Sequence, residues 1–218
     1  MNEIIAKRHC KRSFLPTPIK RSTLEHILQN ANNAASSKNT QPWQVAILMN
    51  KTKDHLITDM CKKFDANTFE QPDYAYSMDP LPTAFKDRAR ACGYALYKLK
   101  GIDQNDKSAR LAHFRENYTF FGAPVALIFH LPKDSERGNF LDMGLFMQNV
   151  MLGLVAEGLG SCPQFSICSY SDTIRTHLNL GRDRIIVCGM AIGYPDESKV
   201  NAFIPDRLRL NEFTQWFD

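Results

Sequence analysis

The sequence holds no Cys-x-x-C pair. Its six cysteines (Cys10, Cys61, Cys92, Cys162, Cys168 and Cys188) are scattered, and the nearest two, Cys162 and Cys168, lie six positions apart. That spacing sets aside a zinc site and a disulfide framework, and reduced thiols in the cytoplasm are the expectation. No uncharged apolar run reaches the about 18 residues of a membrane span, and the first residues lack the apolar stretch and cleavage site of a signal peptide. Gly158-Leu159-Gly160 lacks the third glycine of a dinucleotide fingerprint and follows a helical pattern, not a strand. Neither a Gly-x-x-x-x-Gly-Lys phosphate loop nor a Gly-x-Ser-x-Gly nucleophile turn occurs, and the six histidines sit in no recognisable motif. Large excess charge is also missing. A net charge of +4 is too small for the dense basic face of a nucleic-acid binder and points to local anion handling. Neither nucleic acid nor a membrane is an expected partner. What remains is a globular chain of 218 residues, 44% hydrophobic and 23% charged, read as a single domain over 1–218.

Two stretches carry polar chemistry. Arg8-His9-Cys10-Lys11-Arg12-Ser13-Phe14 crowds four cationic or protonatable side chains into five positions, after the apolar Ile4, Ile5 and Ala6. Arg holds phosphate through a two-pronged fork, Lys as a point charge, and His9 adds a ring N–H. Alone, the cluster also fits a solvated charged segment. The second stretch is Ser36-Ser37-Lys38-Asn39-Thr40-Gln41-Pro42-Trp43, whose hydroxyls and amides are free for a ligand. Between them a helix is expected, with Ser22 and Glu25 as a capping box and Leu24, Ile27, Leu28, Ala31, Ala34 and Ala35 at helical spacing, ending near Ala35.

Further on, 44–49 reads as a buried strand, 51–64 as a helix, and 65–83 as a proline- and aromatic-rich loop, either a lid or an ordered insert. Helices are expected at 85–100 and 106–118, a buried strand at 125–130, and a long helix at 138–158, apolar enough for a central or dimer-interface position. Gly158 to Gln164 reads as a helix-to-strand turn. Ser171 or Asp172 is expected to cap a helix through Leu178, ahead of a strand at 184–192. Helices and strands do not alternate as β-α-β units would, which favours an α+β layer with a mixed or antiparallel sheet.

This order of motifs resembles the nitroreductase family. Arg8, His9, Arg12 and Phe14 fit the family's first motif, with Cys10 where Ser is usual. Ser36, Ser37, Asn39, Gln41, Pro42 and Trp43 fit its loop. Phe-Phe-Gly-Ala-Pro-Val at 120–125, Gly158 to Gln164, and Arg207 with Glu212 and Phe213 continue the likeness over nearly the whole chain. The resemblance implies a nitroreductase-like α+β fold, with a mainly antiparallel central sheet flanked by helices, in a homodimer with FMN at its interface. It implies an oxidoreductase that passes a hydride from NADH or NADPH through flavin N5 to a nitroaromatic, quinone or related small-molecule acceptor. Arg8, His9, Cys10, Arg12 and Arg207 would hold the flavin's terminal phosphate side, with Arg209 as a further candidate because Pro205 replaces a common Lys. Ser36, Ser37, Asn39 and Gln41 would contribute from the loop, the first three across the interface. Pro163, Gln164 and Phe165 would line the ring edge by backbone contacts. The flavin carries the chemistry, so no catalytic side chain and no metal is expected, and Cys10 is expected to fill the space of the usual Ser. The alternatives are a same-fold flavoprotein with other chemistry, such as reductive dehalogenation or flavin fragmentation, and a non-catalytic anion-binding module.

Overall fold

Alternation along one strand divides the core in two. In β2 (Val125–Pro132), Val125, Leu127, Phe129 and Leu131 enter one apolar cluster, and Ala126 and Ile128 enter another. A strand buried on both faces needs such a continuous apolar run. The computed structural model describes residues 1–217. Its sheet has four strands in the order β1-β2-β4-β3, with β1 at Gln44–Met49, β3 at Gly160–Gln164 and β4 at Arg184–Gly193, every pair antiparallel. The register of β2 on β4 shifts between Phe129 and His130, a local bulge.

Helices cover both faces. On one lie α2 (Arg21–Ala31), burying Leu24, Ile27 and Ala31, and α6 (Arg137–Ala156), burying Met143, Phe146, Met147, Val150 and Leu154. On the other lie α3 (Asn50–Asp65) and α7 (Ser171–Leu178). The remaining helices are α1 (Asn2–Lys7), α4 (Thr83–Lys100) and α5 (Lys107–Arg115). α6 is long and apolar enough by length and composition to cross a membrane, yet its buried stripe carries Asp142 and packs on α2 and the sheet, as a core helix does. Its opposite stripe leaves Leu141 67% and Leu145 43% exposed.

Several local expectations give way to tertiary partners. Lys20, not Ser22, is the N-cap of α2, and Glu25 turns to Arg21 at 2.7 Å in place of closing a capping box. That helix stops at Ala31, well short of Ala35, where Asn32 accepts the Trp43 indole N–H at 2.9 Å. β1 is less buried than its apolar sequence suggests, because it is an edge strand with Gln44 and Ile47 exposed. The 106–118 segment is α-helical only through Arg115, then tightens into a 3-10 turn over Glu116–Gly122. Gly158, at φ +72°, ends α6, but the turn expected from Gly158 to Gln164 is a strand from Gly160 onward. Gly, Ser and Pro make it a weak strand by propensity. Pairing along β4 from Gly193 to Gly189 creates it nonetheless.

No helix or strand forms over 66–82, yet the first part of this segment is firmly tied. Glu70 accepts the backbone N–H groups of Asp172 and Thr173 at 2.8 and 3.1 Å, so it caps α7 from a distance, where Ser171 or Asp172 was expected. Asp73 takes both terminal nitrogens of Arg175 at 2.7 and 3.0 Å and the Ile186 N–H at 2.8 Å.

Candidate functional site

The basic segment leaves α1 as an extended strap and lies against the outer edge of β3. Cys10 bridges Ser161 in parallel, and the Lys11 N–H donates to the Ser161 carbonyl at 2.9 Å. The close approach needs Gly160: a Cβ there would fall 2.5 Å from Lys11 Cγ. The fold thus joins two motifs far apart in the chain, Arg8–Phe14 and Gly160–Phe165.

A third segment fixes the strap, and sequence reasoning missed it. Asn201, only 4% exposed, accepts the Arg12 N–H on Oδ1 at 2.8 Å and donates from Nδ2 to the Ser13 carbonyl at 2.7 Å. Its own carbonyl accepts Lys11 Nζ at 2.7 Å. Lys11 Nζ also lies 2.7 Å from His9 Nε2. His9 Nε2 also lies 2.9 Å from the Asn201 carbonyl, so this ring nitrogen sits between a group that only donates and one that only accepts. The other ring nitrogen, Nδ1, is buried with no protein partner. Among the described residues no carboxylate pairs with Arg8, Lys11 or Arg12. The strap therefore presents uncompensated guanidinium groups and an orphaned ring nitrogen, a set suited to a phosphate. Arg12 also lines a cavity of about 420 Å³ with Ser13, Lys100, Thr119, Ser198 and Lys199.

Cys10 sits within this cationic surrounding. The Cys162 thiol on β3, whose sulfur is 3.8 Å from the Pro163 carbonyl, favours the Cys10 thiolate, and Arg12 and Arg8 add positive charge. Together they outweigh burial and bring the Cys10 thiol down to about 6. Cys10 in turn, with burial, pushes the Cys162 thiol up.

The Ser36–Gln41 loop is hooked to α6, where Asp142 accepts the Ser37 N–H at 3.2 Å. Lys38, Asn39 and Gln41 all hold positive φ, at 52°, 56° and 45°. Such backbone in residues other than Gly is uncommon and gathers at functional sites. Internal bonds retain it: Gln41 N–H to Ser36 Oγ and Gln41 Nε2 to the Asn39 carbonyl, each at 3.1 Å. Trp43 anchors the exit of the loop by stacking on Phe146, centroids 5.0 Å apart.

At the end of β3, Gln164 is buried, donates to the Asn117 carbonyl, and leaves Oε1 unpartnered. Pro163 pairs with Met190, and Phe165 follows immediately. Tyr76 stacks on Phe165 at 4.0 Å, and the two help line a cavity of about 500 Å³ with Tyr74, Phe114 and Cys168. Burial pushes the Tyr74 phenol up, so it stays protonated and donates to the Val187 carbonyl at 2.6 Å. Arg207 is not drawn into this group. Its guanidinium folds back on the Pro205 and Asp206 carbonyls at 3.1 and 3.2 Å, and with Arg88 and Cys92 it lines a separate cavity of about 460 Å³.

In this α+β protein the cationic strap lies on the β3 edge of the antiparallel sheet, while the loop of left-handed residues leads into β1 at the opposite edge. The nitroreductase family profile matches residues 5–194, and the chain belongs to that family. Among curated proteins it is 35% identical to a 4-nitrobenzoate reductase of Pseudomonas putida, over 98% of this chain and 93% of that one. It is 32% identical to a chloronitrobenzene nitroreductase of Comamonas testosteroni, over 98% and 95%. Among solved structures, the FMN and NADPH-dependent nitroreductase NfnB from sphigopyxis sp. strain HMH superposes with a TM-score of 0.95 at 36% identity, covering 100% of this chain and 98% of that one. The FMN-dependent NfnB from Mycobacterium smegmatis, solved with NADPH, gives 0.95 at 28% identity, covering 100% and 97%.

Proposed function

We propose that this protein is an FMN-dependent reductase of nitroaromatic compounds that takes its electrons from NADPH. The observation that carries the reading is the uncompensated strap: Arg8 and Arg12 without carboxylate partners and His9 Nδ1 without a hydrogen-bond partner among the described residues, laid along β3. Relatives with nearly the whole chain in common are nitroaromatic reductases, and structural neighbours use FMN and NADPH.

FMN, when bound, supplies a two-electron carrier between nicotinamide and acceptor. The chain's own residues bind and orient. Arg8 and Arg12 would neutralise the terminal phosphate, with the unpartnered Nδ1 of His9 beside them. Pro163, Gln164 and Phe165 would offer backbone to the ring edge, and Tyr76 on Phe165 would wall the adjoining cavity from the segment that Glu70 and Asp73 tie down. Arg207 reaches the phosphate side only by leaving its present bonds to Pro205 and Asp206. A homodimer fits this reading: the uncovered Leu141 and Leu145 stripe of α6 and the hooked Ser36–Gln41 loop give an interface from which Ser36, Ser37 and Asn39 serve the partner's site. Six free cysteines suit the cytoplasm, where NADPH is maintained.

Heat release of the cofactor and its mass, followed by NADPH consumption with 4-nitrobenzoate and nitrobenzene, tests the reading. FMN with acceptor-dependent NADPH oxidation is the expected result. A protein that carries no flavin and does not bind added FMN would be an anion-binding module instead.

A further inference from the structure

The strap brings together two thiols that lie far apart in the sequence. Cys10 is half-buried at the strap and Cys162, 3% exposed, lies on β3 next to Ser161, the residue that Cys10 bridges. Cys162 belongs to an apolar cluster against which Cys10 packs, and the Cys162 thiol is the largest influence on the Cys10 sulfur. We propose that Cys10 and Cys162 form a peroxide-reactive dithiol that closes to a disulfide, a modification site separate from turnover.

The roles follow from the surroundings. Cys10 has Arg8 and Arg12 beside it and is held largely as thiolate, so it is the attacking group. Cys162 keeps its proton and is sealed from solvent, so it resolves. In the first step the Cys10 thiolate attacks one oxygen of hydrogen peroxide; the O–O bond breaks, hydroxide leaves, and Cys10 becomes a sulfenic acid. In the second step the Cys162 sulfur displaces the hydroxyl of Cys10. The S–S bond forms, the S–O bond breaks, and the Cys162 proton leaves with the hydroxyl as water. Two thiols are oxidised, one peroxide is reduced to two waters, and a dithiol reductant reverses the change.

The bond would tie the strap to β3 at the point where, on the functional reading above, the FMN phosphate is held. A bound phosphate covers Cys10 and adds negative charge beside it, which disfavours the thiolate. The disulfide therefore forms readily in protein stripped of flavin and slowly in protein loaded with FMN; this last clause rests on the proposed phosphate position, and the dithiol itself does not.

The test is hydrogen peroxide treatment of full-length protein, as loaded with FMN and after cofactor release, read by mass spectrometry of non-reduced peptides. A Cys10–Cys162 cross-link in the stripped protein, lost on reduction, is expected. In Cys162→Ser, dimedone should trap a sulfenic acid at Cys10 about tenfold faster than at Cys92, a half-buried cysteine on α4 with no second thiol in its cavity. Absence of the cross-link in both forms, or labelling of Cys10 no faster than Cys92, overturns the proposal. Equal cross-linking with and without FMN supports the dithiol and counts instead against the phosphate position, a failure that the cofactor mass alone would not reveal.

Discussion

Asn201 holds Arg12 by its backbone: the Asn201 side-chain oxygen lies 2.8 Å from the Arg12 N–H, while its amide nitrogen donates to Ser13 at 2.7 Å and to Asp196 Oδ1 at 3.0 Å. One buried amide side chain uses both its ends to fix an extended strap that has no strand ladder of its own over most of its length. Removal leaves buried backbone groups unpaired, at about 1–3 kcal/mol for each group stranded. Asn201→Ala is therefore expected to lower unfolding stability by roughly 2 kcal/mol and to weaken FMN retention although Asn201 carries no charge. Urea unfolding and FMN titration of the one variant check both effects. Unchanged FMN affinity would show that the strap keeps its position without Asn201.

Arg12→Ala removes a charge-assisted contact worth roughly 1.5–3 kcal/mol, about a 10- to 150-fold rise in the FMN Kd. Arg207→Ala is expected to raise it less, because that guanidinium is committed to the Pro205 and Asp206 carbonyls. Arg209→Ala should raise it least; its backbone N–H is tied to Glu212 at 2.7 Å, and among the described residues its side chain makes no hydrogen bond to the strap. The order of the three dissociation constants decides, and Arg209 ahead of Arg207 would move the late cationic contact two residues on.

Glu70 makes stability sensitive to acid. Burial raises its carboxyl, but hydrogen bonds from Lys63 and Thr173 outweigh this and hold it below its ordinary value of 4.5. A depressed folded value means that the unfolded chain takes up the proton first. The stabilisation is thus complete above about pH 5 and is lost as pH falls below the ordinary carboxylate range. Urea midpoints at pH 7 and pH 3.5 should differ more for the native sequence than for Glu70→Gln, whose neutral amide cannot titrate. Parallel pH curves for the two would remove Glu70 from the acid response.

Tyr76 stacks on Phe165 at 4.0 Å, the shortest aromatic pair among those described. Such a pair is worth about 0.5–1.5 kcal/mol beyond its buried area. Tyr76→Ala should raise KM for nitroaromatic acceptors roughly two- to tenfold while FMN retention stays unchanged, since the phosphate contacts are elsewhere. Steady-state kinetics on the reconstituted variant measure this. Loss of FMN in place of a KM change would assign Tyr76 to the cofactor and not to the acceptor cavity.

Donor and acceptor are expected to use the same site in turn, so initial-rate plots against NADPH at several acceptor concentrations should be parallel lines. Intersecting lines would indicate that both occupy the site at once.

Where a segment's own side chains decide its form, the sequence alone determined it. The run at 125–132 buries both faces and becomes β2, and the apolar period of 137–156 makes α6. The antiparallel α+β layout and the family were legible too, because the strap and loop motifs are contiguous in the chain and carry their chemistry in side chains. Tertiary structure decided what depends on a distant partner. β3, poor in strand formers, exists because β4 supplies its ladder and the strap covers its other edge. The cap of α7 comes from Glu70, the end of α2 from Trp43, and the exposure of β1 from its place at the sheet edge. Asn201 carries no local signal, since a single amide in a tail reads as an ordinary polar residue until the fold buries it among unpaired backbone groups. Cys10 likewise shows no resolving partner nearby in sequence. Only the pairing of residue 10 with residue 161 sets Cys162 beside it and turns a space-filling thiol into one of two.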